Sequence, residues 1–248
     1  MSISVDRVLG KLDEYFSKND CQSAEKHILF WLDEAENEKD NRTKLLLKNE
    51  LMGLYRKLSR RDEALATVSS ALALVNKMGI ENDIGAGTTY LNSATVYKAF
   101  DMAEKALPVF EKAQKIYESS LAENDKRLAG LYNNMALALV DLKRFSEAEN
   151  LYNKAISIMR QNLNGELEIA ITYLNIATLK ENELGEVEAE SIINEYLEKS
   201  TKILDSYQNR DGYYAFVCEK CASVYGYYGH FFYENELNKR ARSIYEGA

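Results

Sequence analysis

The sequence has 248 residues, with 31 Lys and Arg against 39 Asp and Glu, which gives a net charge of −8. Its 46% hydrophobic and 28% charged residues are typical of one or two globular domains and exclude a disordered chain. A single Pro argues against sandwiches and barrels, because their many tight turns use Pro and Gly. The composition therefore favours an all-α protein whose helices are joined by short polar loops.

The start of the chain and its charge pattern bear on location and partners. Asp6, Arg7 and Lys11 interrupt the N-terminal segment, so it lacks the apolar core of a signal peptide. No stretch approaches the roughly 18 apolar residues that a membrane span needs. Lys and Arg are interspersed with acids along the whole length, which disfavours a nucleic-acid partner. We expect a cytoplasmic protein that contacts neither membrane nor nucleic acid, and its three Cys suit reduced thiols.

Two landmarks recur along the chain with the same period. Tyr90, Tyr132 and Tyr173 begin similar segments, each with a small Ala four residues on, and they lie 42 and 41 residues apart. A second landmark is a pair of Ala residues seven apart, with a bulky residue four after the first Ala. It occurs as Ala64, Val68 and Ala71, as Ala106, Phe110 and Ala113, and as Ala148, Tyr152 and Ala155. Both landmarks keep one period, which indicates an internal repeat.

The spacing of each landmark predicts a helix. Residues four and seven apart share one helix face, so small, large and small side chains form one stripe against which a neighbouring helix can pack closely. Each repeat is therefore predicted to be two amphipathic helices packed antiparallel. The period divides residues 1–248 into six repeats, namely 5–44, 45–86, 87–128, 129–169, 170–214 and 215–248.

The fifth repeat departs from the pattern. Lys180 stands where Tyr97 and Leu139 pack in earlier repeats, and Tyr196 replaces the second small Ala. We expect the second helix of this repeat to be longer or differently tilted than the others.

The repeats resemble tetratricopeptide repeats (TPR), in the variant of about 42 residues found in kinesin light chain. The resemblance rests on 131–136, which read Leu-Tyr-Asn-Asn-Met-Ala, and on 145–152, which read Phe-Ser-Glu-Ala-Glu-Asn-Leu-Tyr. Pro108 also lies two residues after Ala106, as in that family. HEAT repeats share a period of about 40–47 residues, but their pattern of small residues differs. The resemblance implies a right-handed α-solenoid of antiparallel helix pairs, a TPR-like superhelix whose first helices line a concave groove.

One register of the first helices carries an unusual residue type. The position two before the small Ala holds Glu50, Asn92, Asn134, Asn175 and Lys220. Asn is a poor residue inside a helix because its amide competes with the backbone. The resemblance implies that Asn92, Asn134 and Asn175 contact the backbone of a bound peptide. The alternative is that these amides bond to neighbouring helices or face water.

Further predicted peptide-binding residues lie on the same face. They are Thr95, Thr178, Arg56, Lys57, Lys98, Asp141 and Asn182. Their charge runs from basic in the N-terminal repeats to acidic or neutral further on. This order would orient a peptide with its acidic part toward the N-terminal repeats.

The C-terminal segment is rich in aromatic residues, and 11 of the 26 aromatic side chains lie between residues 207 and 245. One interpretation is a bulky cap that closes the last repeat. The other is a homodimer contact or aromatic partner site, because Tyr and Phe are enriched in interface cores. The candidate interface residues are Tyr227, Tyr228, Phe231 and Phe232.

The sequence lacks the residue sets of common catalytic and metal sites. Cys218 and Cys221 form a lone C-x-x-C within a helical pattern, which favours small buried residues over a zinc or redox site. With His27 and His230 as the only histidines and no phosphate-binding glycine motif, we expect no catalysis, no metal and no cofactor.

The leading functional hypothesis is a non-catalytic adaptor that binds an extended peptide or a partner segment of a protein in its groove. A second hypothesis is a signalling receptor like the bacterial regulators that sense short peptides. A third is structural self-assembly through the aromatic C-terminal repeat.

Overall fold

The computed structural model describes residues 3–247, and all regular secondary structure among them is helical. The boundaries 1 and 248 of the predicted solenoid lie outside the described residues. Twelve helices occur in the described range, and they are α1 (Val5–Ser17), α2 (Cys21–Asn37), α3 (Asn41–Lys57), α4 (Arg61–Met78), α5 (Ile84–Ala99), α6 (Ala103–Ser120), α7 (Lys126–Asp141), α8 (Phe145–Met159), α9 (Glu166–Leu184), α10 (Glu186–Ser206), α11 (Gly212–Tyr227) and α12 (Phe231–Gly247). The prediction of an all-α fold is confirmed. None of the described helices combines the length and the apolar character that crossing a membrane requires.

The chain divides into two compact units, and the boundary falls between Ala122 and Glu123. In unit 1, α3 packs against α4 and α5 packs against α6, while α3 also contacts α5. In unit 2, the pairs are α7 with α8, α9 with α10, and α11 with α12, and α9 contacts both α7 and α11. Second helices also pack against the first helix of the next pair, as α2 does on α3, α4 on α5 and α8 on α9. Each unit is thus an α-solenoid of stacked helix pairs. The division into six repeats at the predicted boundaries stays a prediction.

The helices of most pairs are joined by the same tight turn. In five connections of three residues each, the residue before the next N-cap has positive φ although it is not Gly, and these residues are Asn19, Lys39, Ser59, Asp101 and Lys143. The backbone N–H that follows reaches back to a carbonyl in the last turn of the preceding helix, as from Arg144 to Leu139 at 2.8 Å. This bond satisfies a carbonyl that the helix end leaves unpaired. The next helix therefore begins within three or four residues.

The stripe of small and large residues on the second helices is buried, as the sequence predicts. Ala106, Phe110 and Ala113 of α6 have no exposed surface, and Ala148 and Tyr152 of α8 have none either. Small side chains let the facing helix approach, and the ring between them fills the remaining volume. Burying each such ring contributes about 2–3 kcal/mol.

The irregular fifth repeat has a longer second helix, which confirms that expectation. α10 has 21 residues and is the longest helix in the described range. Lys180, which stands at an otherwise apolar position, places its ammonium 2.8 Å from Glu149 of α8 and 2.9 Å from Glu183 of its own helix. Two carboxylates therefore compensate the charge where earlier repeats use apolar packing.

The buried Tyr152 hydroxyl has no hydrogen-bond partner in the described part of the chain. Phe110 occupies the same register in the preceding repeat and is equally buried. A buried hydroxyl without a partner costs about 1–3 kcal/mol. We therefore expect Tyr152→Phe to stabilise the protein by about 1 kcal/mol, or about 2–4 °C in melting temperature.

Tyr117→Phe is the matched control, because the buried Tyr117 hydroxyl lies 2.8 Å from the hydroxyl of Thr88. Tyr117→Phe should lower the melting temperature, because it removes the hydrogen bond to Thr88. Tyr152→Phe removes a hydroxyl that has no such bond. Thermal unfolding followed by circular dichroism measures both. Equal destabilisation by the two substitutions would contradict this account of Tyr152.

Candidate peptide-binding surfaces

Asn92 of α5 lies against the neighbouring first helix in unit 1. Its amide nitrogen donates to the side-chain oxygen of Asn49 on α3 at 3.2 Å. The amide nitrogen of Asn49 donates in turn to the hydroxyl of Thr89 at 3.1 Å. Among the residues that the structure describes, the side-chain oxygen of Asn92 has no hydrogen-bond partner. One half of this amide therefore holds two helices together, and the other half can accept a bond from a ligand.

The same arrangement recurs two repeats later, in unit 2. Asn175 of α9 donates to the side-chain oxygen of Asn133 on α7 at 3.1 Å. The hydroxyl of Thr172, which also lies on α9, is 3.4 Å from the same oxygen. Asn49 and Asn133 are thus the partners that sequence reasoning missed. The sequence does contain a signal for these partners. Asn49 and Asn133 each lie one residue before the register position that holds Glu50 and Asn134.

Asn134 behaves differently from Asn92 and Asn175. Its amide nitrogen donates to the carbonyl of Gly130, one turn earlier in α7, at 2.8 Å. This is the bond within one helix that makes Asn a poor helix former. Asn134 is partly exposed, and its side-chain hydrogen bond crosses to no other helix.

A cavity of about 460 Å³ opens beside Asn92 in unit 1. Apolar side chains form most of its wall, and the polar part consists of Arg42, Asn49, Glu50, Asp83, Thr88 and Asn92. These apolar residues are Leu45, Leu46, Met78 and Ile80. Burial, and to a smaller extent the charge of Asp13, raises the pKa of Glu50. We call this space the α3–α5 cavity.

The other predicted residues of unit 1 do not converge on this cavity. Arg56 is exposed, and desolvation by the surrounding protein lowers its pKa. The ammonium of Lys57 donates to Asn19, in the turn between α1 and α2, at 2.6 Å. The hydroxyl of Thr95 donates to a carbonyl of its own helix at 2.8 Å, and Lys98 is half-buried on the same helix.

A second cavity, of about 360 Å³, lies between α9 and α11 in unit 2. Two predicted residues, Thr178 and Asn182, line it together with Glu181 and Tyr227. Ser223 and Val224 complete the wall from α11, and we call this space the α9–α11 recess. Asp141, the predicted acidic residue of α7, is exposed and does not line it.

Two of the candidate interface aromatics contact α9 of the same chain. The hydroxyl of Tyr227 donates to one carboxylate oxygen of Glu181 at 2.7 Å, and that of Tyr228 donates to the other at 2.8 Å. The bond to Glu181 raises the pKa of Tyr227. Phe231 and Phe232 begin α12 and are 62% and 97% exposed. The two Tyr thus have partners within the chain, whereas both rings of Phe face outward.

The rest of the aromatic C-terminal segment includes buried rings with satisfied hydroxyls. Tyr214 and Tyr225 of α11 are buried and donate to carbonyls of α10 at 3.0 and 2.9 Å. Arg240 of α12 donates to Asp205 at 2.8 Å and to the Tyr214 hydroxyl at 3.2 Å. These bonds attach α11 and α12 to α10, as a cap requires.

The C-x-x-C pair lies inside α11, and both thiols are buried. Burial raises the pKa of Cys218 to about 11 and that of Cys221 to about 12, which keeps both protonated at neutral pH. The interpretation of these cysteines as small buried residues is confirmed. Among residues 3–247, no group of three or more His, Cys, Asp or Glu is placed to hold a metal ion.

The different roles of Asn92 and Asn134 predict different effects on stability. Asn92→Ala removes a hydrogen bond between two helices and should cost about 1 kcal/mol. Asn134→Ala removes a bond within one helix and should gain a few tenths of a kcal/mol from the better helix propensity of Ala. Urea denaturation of both variants measures the difference. A loss in Asn134→Ala as large as that in Asn92→Ala would show that this reading of the two amides is wrong.

We compared the sequence and the fold of the chain with those of known proteins. No protein-family model and no curated protein matches the sequence. Among solved structures, BtubC (BKLC) from P. vanneervenii is similar with a TM-score of 0.66 and 19% identity, over 82% of each chain. A Podosopora anserina protein, described as kinesin light chain with nearly identical TPR-like repeats, has a TM-score of 0.56 and 18% identity, over 82% of this chain and 95% of that one.

A Rap protein complexed with Competence and Sporulation Factor is also similar. The match has a TM-score of 0.70 and 14% identity, and it covers 100% of this chain and 66% of the Rap chain. At these identities the likeness concerns the fold. The helix pairs, the buried small-residue stripe and these neighbours together show that the chain has the fold of a TPR-type repeat protein.

Proposed function

We propose that the protein is a non-catalytic interaction scaffold, without a cofactor, that binds an extended peptide segment of a partner protein. The observation that carries this proposal is the α3–α5 cavity, where an amide with a free oxygen stands beside an apolar wall. The volume of about 460 Å³ lies within the range of roughly 300–1,000 Å³ that is usual for ligand sites.

The two kinds of wall suit the two parts of a peptide. An extended backbone offers N–H groups that can donate a hydrogen bond to an Asn oxygen, whatever the side chains of the peptide are. Its side chains alternate in direction, so one of them can point into the space beside Leu45 and Met78. Binding of this kind needs no reacting group. It requires an apolar pocket and a few placed polar atoms, and the cavity offers both.

The similar structures support use of the fold in binding. The Rap neighbour was solved in complex with Competence and Sporulation Factor. A peptide-sensing regulator is therefore the alternative function, and it uses the same kind of site with a change of shape on binding. The two functions differ in whether the peptide alters the dimensions of the chain, which small-angle scattering with and without peptide measures.

A peptide-display experiment tests the proposal. A random dodecapeptide library is selected on the full chain, and the affinity of the best binder is measured by calorimetry. We expect Asn92→Ala to weaken binding about fivefold or more, because about 1 kcal/mol of backbone hydrogen bonding is lost. Filling the apolar wall with Leu46→Trp should weaken it by a similar or larger factor.

The control is Asn194→Ala, an equivalent truncation at an exposed position of α10. All measurements are made well below the melting temperature of each variant, so that lost stability does not mimic lost affinity. If no peptide is selected, or if both cavity variants bind like the wild type, the proposed function is wrong.

The exposed aromatics of α12 favour a second property, self-association through the C-terminal helix pair. Phe231 and Phe232 are adjacent and are 62% and 97% exposed, and aromatic side chains are enriched in the cores of protein interfaces. We expect a concentration-dependent dimer in sedimentation velocity and a monomer for Phe231→Ser with Phe232→Ser. Val187→Ser, at an 80% exposed apolar position of α10, is the control and should leave the dimer intact. A wild-type monomer at all concentrations rules the dimer out.

A further inference from the structure

Two hydroxyl groups that line the α9–α11 recess donate hydrogen bonds to carbonyls of their own helices. The hydroxyl of Thr178 donates to a carbonyl four residues earlier on α9 at 3.3 Å. The hydroxyl of Ser223 donates to a carbonyl three residues earlier on α11 at 3.2 Å. Each hydroxyl has one proton, so while these bonds are made it can accept a further hydrogen bond. The amide nitrogen of Asn182 donates one of its two protons to the carbonyl of Thr178 at 2.7 Å, so this side chain keeps one N–H donor and its oxygen as an acceptor.

Glu181 adds a negative charge to this set of acceptors. Its two oxygens receive the hydroxyls of Tyr227 and Tyr228 at 2.7 and 2.8 Å. An ionised carboxylate has about four acceptor positions, so about two remain unused. The two phenol bonds also hold the carboxylate in one orientation. It is therefore a prearranged acceptor at the side of the recess.

The charge of Glu181 is not neutralised by a cation in the recess. None of the six described lining residues is basic. Lys180, the preceding residue, points its ammonium to Glu149 and Glu183, at 2.8 and 2.9 Å. The recess thus combines one carboxylate and several acceptor oxygens with aromatic rings, since Tyr227 and Tyr228 pack edge to face with ring centres 5.0 Å apart.

We propose that the α9–α11 recess binds a cationic nitrogen, an ammonium or guanidinium group, of the peptide partner. An ammonium has three donors and no acceptor, which complements the carboxylate of Glu181 and the other acceptor oxygens of the recess. A carboxylate or phosphate would be repelled by the negative charge of Glu181. Its oxygens also cannot form hydrogen bonds with the acceptor oxygens of the recess. The exposed ring of Tyr227 can add a cation–π contact. That the cation belongs to a peptide rests on the proposed function, whereas the preference for a cation rests on the recess alone.

The test uses n-butylammonium chloride as the probe, with sodium butyrate as the anionic counterpart. The full chain carries isotope-labelled tyrosine, and Tyr227→Phe identifies the Tyr227 ring signal by its disappearance from the NMR spectrum. We expect butylammonium to shift this signal saturably, with a dissociation constant of about 1 mM. Butyrate should leave it in place at the same ionic strength.

Glu181→Gln removes the charge, keeps the size of the side chain and retains an oxygen for a tyrosine hydroxyl. We expect it to weaken butylammonium binding about fivefold or more. Glu190→Gln is the matched control, because it removes an exposed carboxylate of α10 outside the recess and leaves both carboxylate partners of Lys180 in place. It should bind within about twofold of the wild type. Melting temperatures and spectral dispersion check that both variants are folded.

Two short peptides then identify the source of the cation. Acetyl-Gly-Lys-Gly-amide carries only a side-chain ammonium, and unblocked Gly-Gly-Gly-amide carries only a terminal one. Competition by either peptide supports the proposal and names the source. If butylammonium binds but neither peptide competes, the peptide source is wrong.

An unmoved Tyr227 signal, or equal binding by wild type and Glu181→Gln, overturns the cation site itself. These results leave the test at Asn92 unaffected, because that site lies in the other unit. The failure of the recess and the failure of the proposed function are therefore distinguishable.

Discussion

Close packing of helices at small side chains is the constraint on which the rest of this structure depends. Ala64, Ala106 and Ala148 begin the buried stripe on three second helices, and none has exposed surface. A larger side chain at these positions would have to displace the facing helix, since protein interiors leave no room for added volume. The bulky residue between each pair of Ala then fills the volume that the small residues leave.

This packing brings polar side chains of neighbouring first helices within hydrogen-bonding distance. Asn92 reaches Asn49 in unit 1, and Asn175 reaches Asn133 in unit 2. A partly buried amide that finds a specific partner favours one register of the two helices over others. The amide of Asn92 also provides the oxygen that the proposed peptide site uses. Structural and binding roles therefore share this residue, each using a different atom of the side chain.

The two cavities differ in the atoms that they offer to a ligand. The α3–α5 cavity is largely apolar with an amide on its wall, whereas the α9–α11 recess places the carboxylate of Glu181 and a few other acceptor oxygens beside Val224 and the ring of Tyr227. The sequence placed Thr178 and Asn182 on one helix face, because positions three and four apart share a face, and it placed Asn92 in the equivalent register of an earlier repeat. It did not single out Glu181 as an acceptor, because its phenol partners lie more than 40 residues further along the chain.

The sequence by itself determined the helical repeat, since the spacing of small and large residues is a local property that each helix converts into one packing face. From Lys180 and Tyr196, where the pattern fails, it also indicated that the second helix of the fifth repeat would be longer or differently tilted, and α10 is longer. Only the tertiary structure decided which polar atoms are already bonded and which remain for a ligand. The physical reason is that a hydrogen bond depends on distances of a few tenths of an ångström between atoms on different helices. A periodic pattern places a residue on a face but does not specify its rotamer or its partner.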